Sequence, residues 1–250
     1  MKIRRMLVII LIAMSVVMAF SSVATAQQII VTPANAAATG WGTADTRPGG
    51  AVNFVVDASA PGMPKIGALQ LTTDGTTTAK AQFMHGANIP LSGVNELSYW
   101  TKQNSASFAG GDASYQLPVC LDGFTAPTPA NPTGCVGFTT FVFEPYQNGT
   151  VIPGIWQQWD VDAGQMWSSR SYSNATCVVG AGGGGAPFYT LAGLQAICPN
   201  AVAVGFGLDC HAIDGKIAHV GVGGLREVAS RSPVDTATVF RIASMSKSFA

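Results

Sequence analysis

Apolar and polar residues alternate along most of the chain, in short segments that turn-forming residues separate. Residues 67–73 read GALQLTT, and residues 201–209 read AVAVGFGLD. An alternation with a period of two places apolar side chains on one face of a β-strand, which β-branched and aromatic residues also favour. The same pattern predicts further strands that begin near residues 51, 78, 94, 113, 136 and 154. Many short strands of this kind predict a mainly β fold, a jelly-roll-like β-sandwich.

One segment has helical periodicity instead. Leu191, Leu194 and Ile197 recur at a spacing that places them on one face of a helix. Thr190 stands before the segment as a potential N-cap, and Pro199 follows it as a stop signal. The sequence therefore predicts a short helix here, with the three apolar residues facing the core.

The N-terminal residues have the order of a secretory signal peptide. Basic residues among the first five precede an apolar run that begins at Met6, and small residues at 24–26 follow it. A transmembrane anchor is the alternative, but serines interrupt the run and no basic residues follow it closely. We therefore predict a signal peptide at residues 1–26 and export to the periplasm or exterior of a bacterium, without membrane attachment after cleavage.

Composition narrows the possible partners. The chain has 13 basic and 13 acidic residues, only 10% of its residues are charged, and it contains 29 glycines and 14 prolines. A chain with so little net charge creates no field that attracts nucleic acid or an anionic membrane. We therefore expect neutral partners, and the glycine and proline content is typical of an exported all-β protein with many turns.

The five cysteines suggest two local disulfides. Cys120 and Cys135 bracket one loop rich in proline and glycine, and Cys177 and Cys198 bracket another rich in glycine, whereas Cys210 is left over. Disulfides suit an oxidising compartment. Zinc is the alternative use, but the sequence has no C-x-x-C and the histidines are not spaced as ligands. We predict no metal and no cofactor.

Residues 143–170 form the candidate binding segment of this domain. The segment combines tryptophans with carboxylates: Trp156, Trp159, Trp167, Glu144, Asp160 and Asp162. Aromatic faces beside polar groups suit a sugar or another neutral polymer. In a strand, however, Trp156 and Asp160 share one face and Trp159 takes the other, so at least one tryptophan belongs to the core. Core packing therefore remains the alternative to a ligand platform.

Two other uses of these carboxylates remain open. A pair of carboxylates could serve a glycosidase, and Asp160 with Asp162 could bind calcium. Neither use is supported by a loop pattern such as D-x-D-x-D-G.

Residues 30–208 resemble secreted bacterial β-sandwich proteins of unassigned function. The resemblance lies in the segments LSGVNELSYWTKQNSASFAGGDASYQLPVCLDG, GFTTFVFEPYQNG and WQQWDVDAG. It implies a fold and no particular activity. We predict that this β-sandwich domain spans residues 27–209.

The C-terminal segment differs in kind. Residues 213–250 read IDGKIAHVGVGGLREVASRSPVDTATVFRIASMSKSFA and resemble the N-terminal start of the serine β-lactamase-related family, which includes class C type β-lactamases, D-alanyl-D-alanine carboxypeptidases and esterases. The resemblance implies that residues 210–250 begin an α+β domain. Its two opening antiparallel strands would turn at Asp214-Gly215, and the start of a catalytic helix would follow.

The resemblance also implies catalytic roles for two residues. In the motif S-x-x-K, Ser244 would be the acylated nucleophile and Lys247, one helical turn later, would be its base, acting on a small acyl substrate. The family also requires a later Tyr-x-Asn or Ser-x-Asn and then Lys/His-x-Gly, and neither follows the helix here. We therefore expect an incomplete, inactive hydrolase segment.

Three functional hypotheses follow from the sequence. The first is an exported fragment or fusion that carries the start of a serine hydrolase. The alternative is a secreted β-sandwich that binds a neutral polysaccharide or similar ligand and has a non-functional tail. A third is a structural surface protein without a ligand, which would have no aromatic groove.

Overall fold

Two β-sheets, one of seven strands and one of five, pack face to face in the computed structural model of the protein. The structure describes residues 31–61, 67–74, 76–211 and 218–223, the last of these as backbone alone. The predicted signal peptide, Ser244 and Lys247 lie outside the described residues.

The strands follow the alternating segments of the sequence. In chain order they are β1 (Trp41–Gly42), β2 (Gly50–Val55), β3 (Ala68–Thr73), β4 (Lys80–Pro90), β5 (Ser98–Ala106), β6 (Ser114–Cys120), β7 (Phe138–Phe143), β8 (Gln157–Asp160), β9 (Met166–Ser168), β10 (Tyr172–Ser173), β11 (Val178–Val179), β12 (Phe188–Tyr189), β13 (Val202–His211) and β14 (Ala218–Gly223). Two α-helices, α1 (Pro145–Asn148) and α2 (Leu191–Ile197), and 3-10 helices at Ala37–Thr39 and Leu91–Gly93 complete the elements.

The order of the strands defines the two faces of the molecule. The seven-stranded sheet has the order β1-β4-β13-β6-β7-β9-β12, and the five-stranded sheet has the order β2-β3-β14-β5-β8. Strands β10 and β11 form a separate hairpin pair. The mainly β sandwich predicted from the sequence is confirmed, and every strand that the alternation predicted is present.

Aromatic side chains join the two sheets at the centre of the core. Tyr99 of β5 lies with its ring centroid 5.6 Å from that of Tyr115 in β6 and 6.0 Å from that of Phe143 in β7. All three are fully buried, and the hydroxyl of Tyr99 donates to the carbonyl of Ala113 at 2.8 Å. Burying each ring stabilises the fold by about 2 kcal/mol.

Strand β14 lies in the middle of the five-stranded sheet. Val220 is paired with Leu71 of β3 on one side and with Gln103 of β5 on the other. The sequence predicted a domain boundary after residue 209, which falls within β13. Strand β14 lies in the range 210–250, but its neighbours in the sheet, β3 and β5, belong to the predicted β-sandwich domain. A separate domain at residues 210–250 remains a prediction.

Helix α2 forms where the sequence predicted it, with one difference in its buried face. The hydroxyl of Thr190 accepts a hydrogen bond from the backbone N–H of Gly193 at 3.1 Å, which is the predicted N-cap. Leu191 and Leu194 are buried, but Ile197 is 38% exposed. The helix ends at Ile197, so its last residue lies beyond the part that packs on the core.

Both predicted disulfides are present. Cys120 is bonded to Cys135, and Cys177 is bonded to Cys198, which closes loops of 15 and 21 residues. Disulfides of this kind favour an exported protein. Among the described residues, no helix is long and apolar enough to cross a membrane.

The buried thiol of Cys210 should be unreactive in the folded protein. Burial raises the pKa of this thiol well above its usual range, so little thiolate is available at neutral pH. We expect Ellman's reagent to label no thiol in the native protein and one thiol after unfolding without reductant. Peptide mapping of the labelled, non-reduced protein should place the label on Cys210. Labelling of Cys177 or Cys198 instead would contradict the disulfide assignment.

Candidate functional site

The three tryptophans of the predicted binding segment occupy three different parts of the sandwich. Strand β8 joins the five-stranded sheet, and β9, a few residues later, joins the seven-stranded sheet. Trp156 precedes β8 and extends its outer face, Trp159 points into the core, and Trp167 lies on the outer face of the other sheet. The structure therefore does not bring these side chains together as one platform.

Trp159 belongs to the core. It is 7% exposed, and its ring lies 6.4 Å from that of Phe143 on the facing sheet. Its indole N–H donates to the hydroxyl of Thr101 at 2.7 Å, so the polar atom of the ring is satisfied inside the protein. The alternation of the sequence had assigned one tryptophan to the core, and it is this one.

Trp156 lies on the outer face of the five-stranded sheet, within a polar cluster. Its indole N–H donates to the hydroxyl of Ser59 at 3.1 Å, and the ammonium of Lys102 lies 5.8 Å from its ring centroid. Lys102 is also paired with Asp57 at 2.8 Å. The polar groups around Trp156 therefore already have partners within the protein.

Asp160 and Asp162 line a cavity of about 470 Å³ at the edge of the same sheet. Asp162 accepts a hydrogen bond from the backbone N–H of Leu97 at 2.9 Å. Burial, together with the neighbouring carboxyl of Asp160, raises the pKa of Asp162. In the described part of the chain, no group of three or more His, Cys, Asp or Glu residues is placed to hold a metal ion. The suggested use of Asp160 and Asp162 as calcium ligands stays a prediction.

Trp167 is held in a fixed orientation on the seven-stranded sheet. Its indole N–H donates to Oε2 of Glu144 at 2.9 Å, and the hydroxyl of Tyr146 donates to the same oxygen at 3.1 Å. Burial raises the pKa of Glu144. The backbone of the glycine-rich loop packs closely against Trp167 at Gly182. A Cβ added to Gly182 would lie only 2.7 Å from Cβ of Trp167.

Glu144 and Asp160 lie on opposite sheets. Glu144 contacts Trp167 on the seven-stranded sheet, whereas Asp160 pairs with Ser98 on the five-stranded sheet. A pair of carboxylates that cleaves a glycosidic bond must flank that bond from the same site. Glu144 and Asp160 are therefore not placed to act as such a pair, and a glycosidase role for carboxylates of this segment stays a prediction.

The outer face of the seven-stranded sheet carries a groove, defined here as the cavity of about 430 Å³ that contains Trp167. Its floor follows the strand register, in which Trp167 pairs with Val142, Val142 with Gln116 and Gln116 with Gly207. The residues that line it are Arg47, Thr77, Thr78, Ala79, Lys80, Gln116, Thr140, Val142, Trp167, Ser169, Arg170, Asp209 and His211. An aromatic ring, an amide, a carboxylate and an imidazole therefore share one cavity.

Asp209 and His211 enter the groove from the end of β13. Leu208 and Cys210 are buried, and the alternation of the strand turns Asp209 and His211 to the outer face. His211 Nδ1 lies 2.8 Å from Oδ2 of Asp209. This hydrogen bond raises the pKa of His211, and Asp209 is only 3% exposed.

The cationic side chains of the groove have partners within the protein. Lys80 is paired with Asp45 at 2.6 Å, and the same carboxylate lies 3.6 Å from Arg47. The guanidinium of Arg170 lies 5.3 Å from the ring centroid of Phe138. Two of these cations therefore share one carboxylate, and the third contacts an aromatic ring.

The sequence predictions missed most of the groove. Among its residues, only Trp167 had been singled out, whereas Gln116, Asp209 and His211 had not. A signal was available in GFGLDCH, where polar residues at alternate positions end an otherwise apolar strand. Such residues face outward on a strand whose other face is buried.

No protein-family model and no curated protein matches the chain. The predicted resemblance of residues 213–250 to the serine β-lactamase-related family thus gains no support from these comparisons.

Among solved structures, the chain is similar to family 11 carbohydrate-binding modules of Clostridium thermocellum. The module of a cellulosomal cellulase has 12% identity over 75% of this chain and 90% of that one, with a TM-score of 0.36. The module in complex with a β-1,3-1,4-mixed-linked tetrasaccharide has 14% identity over 76% and 91%, with a TM-score of 0.37. At these TM-scores the likeness identifies no ligand for this chain.

Replacing the tryptophans individually should separate core packing from surface exposure. Trp159→Ala should lower the free energy of unfolding by about 3–5 kcal/mol, because it leaves a large cavity and removes one of the two hydrogen bonds of the Thr101 hydroxyl. Trp156→Ala, on the outer face, should lower it by less than about 1 kcal/mol. Chemical denaturation followed by circular dichroism measures both. Equal losses in the two variants would contradict the assignment of Trp159 to the core.

The pKa values of the two histidines whose side chains are described should be shifted in opposite directions. Burial against Phe206, with ring centroids 4.8 Å apart, lowers the pKa of His85, so folding is weakened as the pH falls below about 6.5. The pKa of His211 is raised, so its stabilising contribution is complete below about 6.5 and is lost as the pH rises through the folded value. NMR titration of the imidazole nitrogens measures both, and Asp209→Asn should lower the pKa of His211 alone. A His211 pKa that Asp209→Asn leaves unchanged would contradict this cause.

Proposed function

We propose that the β-sandwich is a binding module for a neutral polysaccharide, outside the cell or in the periplasm, and that the groove on the seven-stranded sheet is its binding site. The observation that carries the proposal is that an oriented tryptophan shares one cavity with buried hydrogen-bonding side chains. Trp167 provides the aromatic surface, and Gln116, Asp209 and His211 provide the polar groups.

The fixed orientation of Trp167 supports this use. Sugar rings present C–H groups on their faces, and an aromatic ring offers an apolar surface on which such a face can stack. Because Glu144 and the loop at Gly182 already hold the indole, binding does not have to order it. A side chain that is ordered in advance reduces the entropy lost on association.

The polar groups of the groove suit the hydroxyl groups of a neutral ligand. Hydroxyl groups can donate to the carboxylate of Asp209 and can form hydrogen bonds with the amide of Gln116.

The length of the groove suits a chain of sugars. Trp167 in β9 and Asp209 in β13 are separated by β7 and β6. Three strand spacings of about 4.8 Å separate them by roughly 14 Å across the sheet, and Asp209 lies two residues further along its strand than the residue in register with Trp167. This span exceeds one sugar ring, so an oligosaccharide segment that crosses the strands can contact both residues.

The groove also bears on the two other hypotheses from the sequence. A structural surface protein without a ligand predicts no aromatic groove, and the cavity around Trp167 favours binding over that hypothesis. The serine hydrolase hypothesis depends on Ser244 and Lys247, which lie outside the described residues, and remains a prediction of the sequence. The predicted ligand roles of Trp156, Asp160 and Asp162 likewise remain predictions, at a second face of the sandwich.

Replacing the aromatic surface should weaken polysaccharide binding. We expect at least one of mixed-linkage β-glucan, xylan, galactomannan and soluble starch to retard the protein in affinity gel electrophoresis. Trp167→Ala should weaken that binding about tenfold or more, equivalent to ~1.4 kcal/mol, because the stacking surface is lost.

The matched control is Trp156→Ala, which removes the same side chain from the opposite sheet. It should retain wild-type affinity, and thermal unfolding should show that both variants are folded. If none of the polysaccharides binds, or if Trp156→Ala loses binding while Trp167→Ala retains it, the groove is not the site.

A further inference from the structure

Asp209 holds an unused hydrogen-bond acceptor inside the groove. Its side chain is only 4% exposed, and while Oδ2 is bonded to His211, the buried Oδ1 has no partner. Among the described residues, four buried side-chain atoms lack a partner, and Asp209 is the only one of their residues that lines the groove. Buried polar atoms are rarely left in this state, because each loses its water without a replacement.

The neighbouring donors are committed to other acceptors. The hydroxyl of Ser114, beside Asp209 on β6, donates to the backbone carbonyl of Asp209 at 3.2 Å. The amide Nε2 of Gln116 in turn donates to the Ser114 hydroxyl at 2.8 Å. These side chains therefore orient the floor of the groove around Oδ1 without satisfying it.

We propose that Asp209 is the specificity-determining residue of the groove, where its Oδ1 accepts a hydrogen bond from one particular sugar hydroxyl. His211 acts as a positioning residue, because its bond to Oδ2 fixes the carboxylate and leaves the buried Oδ1 as the atom without a partner. This inference rests on the proposed polysaccharide binding and adds to it the group that selects among polysaccharides.

The chemistry of a carboxylate explains why such a group discriminates. An ionised carboxylate can only accept hydrogen bonds, so the ligand atom that meets Oδ1 must carry a hydrogen. A sugar that presents a hydroxyl there satisfies the acceptor, whereas one that presents a C–H group leaves a buried charge unpaired. Sites that contain such a group reject the wrong ligand more strongly than apolar contacts can.

The test compares affinities across the four polysaccharides named above, measured by isothermal titration calorimetry. Asp209→Ala should weaken binding of the preferred polysaccharide about tenfold or more and should reduce the difference between it and the others. Phe124→Ala, which removes an exposed aromatic ring outside the groove, serves as the control with wild-type affinity and preference.

The role of His211 is tested by rescue. His211→Ala should weaken binding of the preferred polysaccharide, because the carboxylate is then free to rotate. His211→Asn should restore much of the affinity, since the side-chain N–H of asparagine can stand near the position of Nδ1. A residue that merely supported the fold would lower the unfolding temperature in both variants and would show no such difference in affinity.

The outcomes separate the two proposals. If Trp167→Ala loses binding but Asp209→Ala retains both affinity and preference, the role of Asp209 is overturned and the groove stands. If Asp209→Ala weakens all four polysaccharides equally, it contributes affinity without selecting, which also overturns the inference. If the wild type binds none of them, the proposed function fails first and the inference falls with it.

Discussion

The alternation of side chains along β13 is the constraint on which both the core and the groove depend. The strand is paired with β4 on one side and β6 on the other, so its register is fixed by both neighbours. Leu208 and Cys210 consequently face the five-stranded sheet, and Asp209 and His211 face the groove. A slip of one residue would exchange the two sets and place a carboxylate between the sheets. The packing that stabilises the sandwich therefore also positions the polar end of the groove.

The register of β13 also buries the carboxylate of Asp209, which costs free energy. A buried carboxylate loses its hydration, and the bond with His211 compensates for part of this loss. The analogous carboxylate of Glu144 is better satisfied, because Trp167 and Tyr146 both donate to it. The two ends of the groove thus differ in kind. One end is a rigid aromatic surface with its hydrogen bonds complete, and the other is a polar group whose hydrogen bonding is incomplete.

The strands were predictable from the sequence, and their partners were not. Segments such as GALQLTT alternate strictly enough to be recognised alone, because each has one buried face. Strands of two or three residues, such as β9 and β12, are too short to show a period. Nothing local distinguishes β8 from β9 as members of different sheets, so the sequence predicted one binding segment that contains both Trp156 and Trp167. Strand β14 was likewise recognised as a strand and assigned to another domain, since its pairing with β3 and β5 is a long-range contact.

A high density of tryptophans is therefore a weaker guide to the site than the hydrogen bonding around each ring. The indole N–H groups of Trp156, Trp159 and Trp167 all have partners in the protein. None of these three N–H groups therefore needs a ligand as its hydrogen-bond acceptor. What distinguishes Trp167 is its surroundings, because the strands beside it carry polar side chains into the same cavity and one of their acceptors is unused. The aromatic ring gives a ligand a surface, and the buried acceptor at the other end of the groove gives a physical reason for that ligand to be bound there.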